Sequence, residues 1–371
     1  MRERLRPLLA ALLALTCAFL PSTSVVGTRP PELHVGAWLL DEVLDLVRAA
    51  ASSRRFLDHY VDADGRVVRH DQGGDTVSEG QAYALTIAAA IGDEVTFRQV
   101  WSWTQRELRR HDGLFAWRWA AGDVIDDDPA ADADLLIAGA LSLAARRFED
   151  QTLADAASVT SDAILEHETA QIGGRRVLTA GPWAVDRRVI NPSYSVIPVM
   201  SQLRSDGEVA WASVAASSRL AIDQLTQTAP HLPPDWATVA TDADGDVRAT
   251  PMGQPPRYGW EAVRLSVQLA ADCDASGRRI AARMWPFFRS QDVVATVYEL
   301  DGTVVDSSTH AAAIVGAAGS ASAAGDDESA AELLDRASSW DVEHPTYYGG
   351  AWVALGRLWL TTPLLGGCAR S

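Results

Sequence analysis

The segment ADLLIAGALSLAARRF, residues 133–148, decides the fold class, because its apolar residues recur at the three- and four-residue spacing of a helix with one buried face. Similar spacing recurs in AWLLDEVLDLVRAA (37–50), EVTFRQVWSWTQREL (94–108) and EVAWASVAASSRLAIDQL (208–225). Twelve helices are predicted when each run is divided at Gly, Pro or Asp: 37–57, 79–91, 94–110, 133–148, 151–168, 193–204, 207–228, 259–271, 276–289, 308–319, 327–339 and 344–360. They suit six helical hairpins curled into a ring, with nearly apolar inner helices.

Short segments that favour β structure interrupt the helices. They are GRVVR (65–69), RRVLTAG (175–181), WATVATDADGDVRAT (236–250) and ATVYELDGTVVD (295–306). The last two carry DADGD and LDG at their centres, which is turn chemistry typical of hairpins. DADGD also resembles a calcium loop, but Val247 and Gly253 stand where that loop needs Gly and Glu. We therefore expect β-hairpins that decorate one rim of the ring.

The first residues have the pattern of a secretory signal. Arg2, Arg4 and Arg6 precede the apolar run PLLAALLALTCAFL, which is too short to span a bilayer. We expect a signal peptide over 1–27, a single catalytic domain over 33–363 and a tail over 364–371. The protein is therefore expected to be secreted or otherwise extracytoplasmic, with no membrane span once the signal is removed. In such a compartment Cys273 and Cys368 could pair, although two separate thiols fit the sequence almost as well.

Charge and composition exclude several classes of function. The chain has 371 residues and a formal net charge of −17, so it is not expected to bind nucleic acid or anionic lipid. Its eight His residues show no metal-ligand spacing, and no zinc site is predicted. No G-x-S-x-G, G-x-G-x-x-G or P-loop motif occurs. A monomer is expected.

Carboxylates recur beside small and aromatic residues at predicted helix starts: Glu79 in SEGQAY, Asp132 and Asp134 in PAADADLL, and Glu261 in RYGWEAVR. Cleavage of a glycosidic bond needs one protonated carboxylic acid and one ionised carboxylate, so this inventory suits a glycosidase. The structural alternative is that first-turn acids only complement the helix dipole, a contribution of under about 1 kcal/mol. Ser78 and Gln81 have capping-box spacing, which we expect to cap the helix while Glu79 faces the cleft.

Aromatic residues near polar loops strengthen the glycosidase hypothesis. The chain has 13 Trp against 7 Phe. Trp117 and Trp119 in FAWRWA and Trp183 in AGPWAV are candidate surfaces for stacking of sugar rings.

In order and spacing, several segments resemble glycoside hydrolase family 8, in particular bacterial endo-β-1,4-glucanases associated with cellulose synthesis. They are GRVVRHDQGGDTVSEGQAYAL, VWSWTQREL, FAWRW, PAADADLLIAGALSLAARRF, INPSYS, PPDW, YGWEAVRLSVQLAA and YYGGAWVALGRLW. The resemblance covers residues 33–362. It implies an all-α (α/α)6 barrel with an open cleft, hydrolysis of a β-1,4-linked polysaccharide with inversion, and no cofactor or metal.

The resemblance also implies roles for individual residues. Glu79 matches the general acid and Asp134 the carboxylate that holds the sugar at the cleavage point. Tyr194 matches a residue near the attacking water, and Asp132 and Arg264 match substrate-site residues.

One position departs from the family pattern. The general base is the Asp of a YDA-x-R motif, and Glu261 in WEAVR occupies that place. Its side chain is longer by one methylene, which is compatible with an inverting pair but not neutral. Three hypotheses therefore stay open: a glucanase, a relative acting on xylan or chitosan, and a catalytically weakened glucan-binding protein. Asp186, in the loop before NPSY, is a second candidate for the base.

Overall fold

A computed structural model describes residues 37–365 of the chain. The predicted signal peptide, Cys17, Cys368 and all but the first two residues of the predicted tail lie outside the described residues. The chain divides into two compact units, Met1–Leu40 and Asp41–Ser371, and only Ala37–Leu40 of the first are described. The predicted domain limits of 33 and 363 stay predictions.

The helices begin and end close to the predicted positions. They are α1 (Ala37–Tyr60), α2 (Ser78–Ile91), α3 (Glu94–Glu107), α4 (Ala131–Phe148), α5 (Gln151–His167), α6 (Ile197–Ser205), α7 (Ala210–Leu225), α8 (Leu265–Ala270), α9 (Ala275–Ala282), α10 (Trp285–Arg289), α11 (Ala311–Ala323), α12 (Asp327–Glu343) and α13 (Tyr347–Thr361). The predicted helix 276–289 is divided into α9 and α10, and the predicted helices 193–204 and 259–271 each begin with a 3-10 turn, Pro192–Tyr194 and Ala262–Arg264, before the α-helix starts. Pro286 lies in the first turn of α10, where its missing N–H costs no helical hydrogen bond, so the helix restarts there.

Helices alternate between an inner and an outer position along the chain. Nearly every residue of α2, α4, α11 and α13 is buried, whereas α3 and α12 bury only a few. The inner helices contact one another in the order α2, α4, α6, α8, α11, α13 and back to α2. This contact between the last inner helix and the first closes the ring. The predicted (α/α)6 barrel is therefore confirmed, including the closure that periodicity alone did not establish.

Small antiparallel sheets occupy the connections that lead from an outer helix into the next inner helix. Their strands are β1 (Thr76–Val77), β2 (Arg118–Ala120), β3 (Asp123–Asp126), β4 (Thr169–Ile172), β5 (Arg175–Leu178), β6 (Val189–Ile190), β7 (Ala237–Thr241), β8 (Val247–Pro251), β9 (Arg257–Tyr258), β10 (Val297–Glu299) and β11 (Val304–Asp306). They pair as β1-β2-β3, β4-β5, β6-β7-β8 and β9-β10-β11. All of them thus lie at the end of the barrel where inner helices begin.

Two hairpin predictions are confirmed and one strand prediction is wrong. DADGD joins β7 to β8, and Asp242 Oδ1 accepts from the N–H groups of Asp244 and Asp246 within that turn. GRVVR forms no strand and makes only an isolated bridge between Val61 and Val67. The Val67 N–H donates instead to the Gln81 side chain, so this segment uses its backbone to fix the start of α2.

Neither a membrane-spanning helix nor a free thiol occurs within residues 37–365. None of the helices described there has the length and hydropathy needed to cross a bilayer. Cys273 is disulfide-bonded.

Candidate active site

The polar residues of the site come from the first turns of the inner helices or from the residues just before them. Glu79 begins α2, Asp132 begins α4, and Tyr194 ends the 3-10 turn before α6. Glu261 precedes the 3-10 turn before α8, and Arg264 is the last residue of that turn. His310 caps α11, and Tyr347 and Tyr348 begin α13. The six inner helices therefore all start at one site.

A cleft of about 440 Å³ lies at this end of the barrel. Its lining is rich in charged and aromatic side chains: Arg69, Asp71, Gln72, Val77, Glu79, Tyr83, Trp117, Trp260, Glu261, Arg264, His310, Thr346, Tyr347 and Tyr348. A larger cavity of about 620 Å³ lies between α4, α5 and the α6–α7 loop, but no aromatic residue is among the described residues that line it. Of these two cavities, the cleft is the one whose described lining combines carboxyl groups with aromatic faces.

Local hydrogen bonds at the start of α2 differ from the predicted capping box. Val77 is the N-cap, and no side chain caps the helix. The Gln81 amide donates to Thr104 Oγ1 at 2.8 Å and accepts from Val67 N at 2.6 Å. The Ser78 hydroxyl donates to Glu79 Oε2 at 3.4 Å. The capping-box prediction was wrong because Gln81 binds distant parts of the chain and not its own first turn.

Gly80, the residue after Glu79, lies where the first inner helix, α2, packs against the last, α13. A Cβ at Gly80 would lie 2.9 Å from the Tyr347 hydroxyl oxygen and 3.3 Å from Val67. Only glycine therefore allows the start of α13 to approach the start of α2 this closely.

Glu79 has the electrostatic surroundings of a proton donor. Its Oε1 accepts from Trp117 Nε1 at 3.3 Å. Burial and, after it, the negative charge of Asp132 raise the pKa of Glu79 to about 7. The positive charge of Arg264 acts in the opposite direction but does not prevail. A carboxyl group with such a pKa retains a proton near neutrality.

Arg264 joins the other charged groups of the site. Its guanidinium donates to Asp132 Oδ2 at 2.7 Å, to the Tyr83 hydroxyl at 3.2 Å, and to Glu261 Oε2. The Arg264 and Asp132 side chains are 4% and 1% exposed, so this ion pair is almost completely shielded from solvent. The Tyr194 ring lies 5.4 Å from the guanidinium carbon.

Glu261 is more exposed than Glu79 and is held from two directions. Its side chain is 30% exposed, and Asn191 Nδ2 donates to the same Oε2 that Arg264 contacts, at 3.1 Å. Among the described residues no donor contacts Oε1, which leaves that oxygen available to a water molecule.

The backbone around Glu261 is fixed by one half-buried side chain, that of Asp235 in PPDW. Asp235 Oδ1 accepts from the N–H groups of Gly259, Glu261 and Ala262 at 2.9, 3.2 and 2.8 Å. Burial raises the pKa of Asp235 to about 6. This carboxyl group therefore holds the loop that carries Glu261.

The two Asp residues of the DAD motif have different surroundings. Asp132 is buried and contacts Arg264, a residue of the cleft lining, whereas Asp134 is fully buried and accepts from Phe115 N at 3.0 Å. Residues two apart on a helix point in nearly opposite directions, so only one of them reaches Arg264. The location of Asp134 does not fit the predicted contact with the reacting sugar, and Asp132 is the member of the motif connected to the cleft.

The predicted aromatic residues separate into cleft and packing positions. Trp117 lines the cleft, as do Trp260 and Tyr348. Trp183 is 39% exposed, and its ring centroid is 6.3 Å from that of Trp236. Trp119 packs edge-on against Trp103 at 5.4 Å and lies outside the cleft lining.

Several residues of the site have no role in the sequence-based hypothesis. They include Tyr83, Asn191, Asp235, His310, Tyr347 and Tyr348. Asn191 and Asp235 lie in the INPSYS and PPDW motifs. The sequence therefore showed these two motifs but not the contacts that the two residues make with Glu261. Asp186, the second candidate for the base, is exposed and absent from the cleft lining.

The family model of glycosyl hydrolases family 8 matches residues 46–362 of the chain. The chain is 29% identical over 231 residues to an endoglucanase of Cellulomonas uda, a match that covers 60% of this chain and 63% of that protein. It is 34% identical over 221 residues to a probable endoglucanase of Novacetimonas hansenii, covering 57% and 63%. The matches thus span less than two thirds of these curated relatives.

A solved structure is similar over most of the described chain. The endo-β-1,4-glucanase CMCax of Acetobacter xylinum has 27% sequence identity and a TM-score of 0.71, with 84% of this chain and 97% of that chain covered.

Proposed function

The chain belongs to glycosyl hydrolases family 8, and from that premise we propose that it is an exported endo-β-1,4-glucanase that hydrolyses cellulose-like glucan with inversion. The observation that carries the proposal is the presence of two carboxyl groups in one cleft with opposite surroundings. Glu79 is desolvated and retains a proton near neutrality, whereas Glu261 is a partly exposed member of an ion pair. Inverting glycosidases need this division of labour.

In the proposed reaction, Glu79 donates its proton to the leaving glycosidic oxygen. Glu261 accepts a proton from a water molecule that attacks the anomeric carbon from the other face of the sugar ring. Ion pairing of Glu261 Oε2 leaves Oε1 to bind that water. The negative charge of Asp132 stabilises the positive charge that develops on the ring in the transition state.

Aromatic side chains provide the binding surface of the proposed cleft. Trp117 donates its indole N–H to Glu79 and presents its ring to the same cavity. Trp260 is 44% exposed beside Glu261, and the Tyr348 hydroxyl donates to its carbonyl oxygen at 2.7 Å. These faces suit the apolar C–H surfaces of a glucan chain.

Export is part of the proposal and has two supports. The signal-like leader 1–27 is one, and the disulfide at Cys273 is the other, because disulfides persist mainly outside the cytoplasm. Fractionation of producing cells tests this point, and retention of the whole protein in the cytoplasm would refute it.

Parallel assays on carboxymethylcellulose, xylan and chitosan test the substrate. We expect new reducing ends to appear fastest with carboxymethylcellulose. A preference for xylan or chitosan would refute the glucanase assignment while retaining the hydrolase. Binding of cellulose without product from any polymer would refute hydrolysis and favour a glucan-binding protein. Proton NMR in the first minutes of cello-oligosaccharide cleavage tests the stereochemistry: an α-anomer first means inversion, and a β-anomer first refutes it.

A further inference from the structure

Two buried carboxyl groups, those of Asp134 and Glu168, take no part in the proposed reaction. Neither side chain has exposed surface. Asp134 lies in the first turn of α4, and Glu168 directly follows the last residue of α5. Fully buried carboxylates are rare without a cation or several donors, so this pair needs a physical account.

The backbone around Glu168 is well fixed, but its carboxyl group has few partners. Its main-chain N–H donates to Ile164 O at 2.8 Å, and its carbonyl oxygen accepts from the N–H and the hydroxyl of Thr179 at 2.8 Å each. Neither oxygen of its side chain meets a protein donor, and the same is true of Asp134 Oδ2. The two carboxyl groups act directly on each other, and only a proton on one of them would supply a donor between them.

The neighbouring charges that act most strongly on this pair are negative. The neighbouring charges that act on both groups are those of Asp132, on α4, and Asp112, in the loop after α3, and both are negative. Asp112 is itself paired with Arg110 at 3.0 Å. No cluster that could hold a metal ion occurs within residues 37–365. Two ionised carboxylates in contact here would repel each other strongly.

We propose that Asp134 and Glu168 share one proton as an acid–carboxylate pair, and that Glu168 is thereby a positioning residue for the first turn of α4. A shared proton converts the repulsion into a short O–H···O⁻ hydrogen bond, which is among the stronger bonds in proteins. Burial is the main cause that raises the pKa of both groups well above their ordinary values, in agreement with proton retention.

The pair is connected to the cleft by two routes. Asp134 is on the same helical turn as Asp132, so fixing one side chain fixes the direction of the other. Asp134 Oδ1 also binds the N–H of Phe115, two residues before Trp117, which contacts Glu79. The positioning role rests on the proposed function, whereas the shared proton does not.

Glu168→Gln tests the shared proton without any substrate. The amide N–H₂ can donate to Asp134 as the acid does, so the variant should fold without a shared proton. The difference between the infrared spectra of the wild type and Glu168→Gln at pH 7.5 should contain a protonated carboxyl band, because the partly protonated Glu79 contributes equally to both spectra. Glu166→Gln is the matched control, because Glu166 is 76% exposed at the end of the same helix, and it should keep the band.

The melting temperature against pH gives a second, independent readout. The folded state keeps a proton that the unfolded chain releases above about pH 4.3, so wild-type stability should fall as pH rises from there through the folded pKa. Glu168→Gln should lose this dependence. The difference between its melting temperature and that of the wild type should therefore increase in favour of the variant as the pH rises from 5 to 8. Unchanged infrared bands together with parallel melting curves would overturn the proposal. If Glu168→Gln does not fold, Asp134→Asn supplies the donor from the other side, and failure of both variants to fold would also overturn it.

Turnover distinguishes positioning from mere stability. Glu168→Ala leaves Asp134 without its partner and should lower kcat about tenfold, since small displacements of reacting groups are costly. Glu168→Gln should restore most of that loss. Equal kcat values for Glu168→Ala and the wild type at a temperature where both are folded would remove the positioning role. Absence of hydrolysis by the wild type would instead refute the proposed function and leave the spectroscopic test intact.

Discussion

Glu79 and Glu261 line the same cleft but are built in opposite ways. Glu79 is surrounded by a helix start, an indole N–H and the negative charge of Asp132, and its pKa is raised to about 7. Glu261 lies on a loop that Asp235 holds in place. One of its carboxylate oxygens, Oε2, contacts both Arg264 and Asn191. The difference shows that one residue type can serve as acid or base according to desolvation and partner charge. Each prediction below changes one side of this comparison.

The largest effect is expected for Glu79→Gln. The amide keeps the shape of the side chain but has no acidic proton, and loss of a general acid costs about 10²- to 10⁴-fold in rate. Initial rates on a soluble cellulose derivative measure the loss, and affinity electrophoresis should show unchanged glucan binding. Glu94→Gln, a first-turn exchange on the exposed start of α3, is the control. Retention of more than a few per cent of the wild-type rate would remove Glu79 from this role.

Glu261→Ala is expected to reduce kcat by about 100-fold, at the lower end of the range for a lost general base. Glu261→Asp should retain activity or exceed the wild type, because it restores the side-chain length of the family motif. The ratio of the two variants' initial rates is the measurement. Near-normal activity of Glu261→Ala would require another base, and exposed Asp186 is too poorly connected to the cleft to be a strong replacement.

The dependence of kcat/KM on pH tests the raised pKa of Glu79. Activity requires the protonated acid, so kcat/KM should fall about tenfold per pH unit above about pH 7, the pKa to which burial raises Glu79. Asp132→Asn removes a negative charge that raises this pKa, and its alkaline limb should therefore move to lower pH. An alkaline limb at the same pH in both proteins would show that another group controls it.

The smallest effect is expected for Trp183→Ala. Trp183 is exposed and donates its indole N–H to the Pro129 carbonyl oxygen at 3.2 Å, so it contributes a surface and no chemistry. An aromatic face contributes about 1 kcal/mol to such contacts, which is about fivefold in KM. Steady-state kinetics should show this rise with unchanged kcat. A large fall in kcat would mean that the Trp183 loop also holds reacting groups.

Sequence periodicity predicted the helices well because burial on one face is a local pattern. The short strands were less predictable: β6 and β9 are two residues long and exist only because distant segments meet. In the site, the fold brings the predicted Glu79 and Glu261 to one cleft, but spacing could not tell which of Asp132 and Asp134 contacts Arg264. Glu168 carried no local signal at all, because only its tertiary neighbour makes its burial unusual.

Ring closure has a consequence for when the protein acquires its cleft. The last inner helix, α13, contacts α2 and brings Tyr347 and Tyr348 beside Glu79 and Trp260, residues that come early or midway along the chain. Contacts between segments about 270 residues apart in sequence form late in folding, since loop closure must precede them. A ribosome-bound chain that lacks α13 thus has an open ring and an incomplete cleft. The order of synthesis itself delays the appearance of the complete site until α13 has been made.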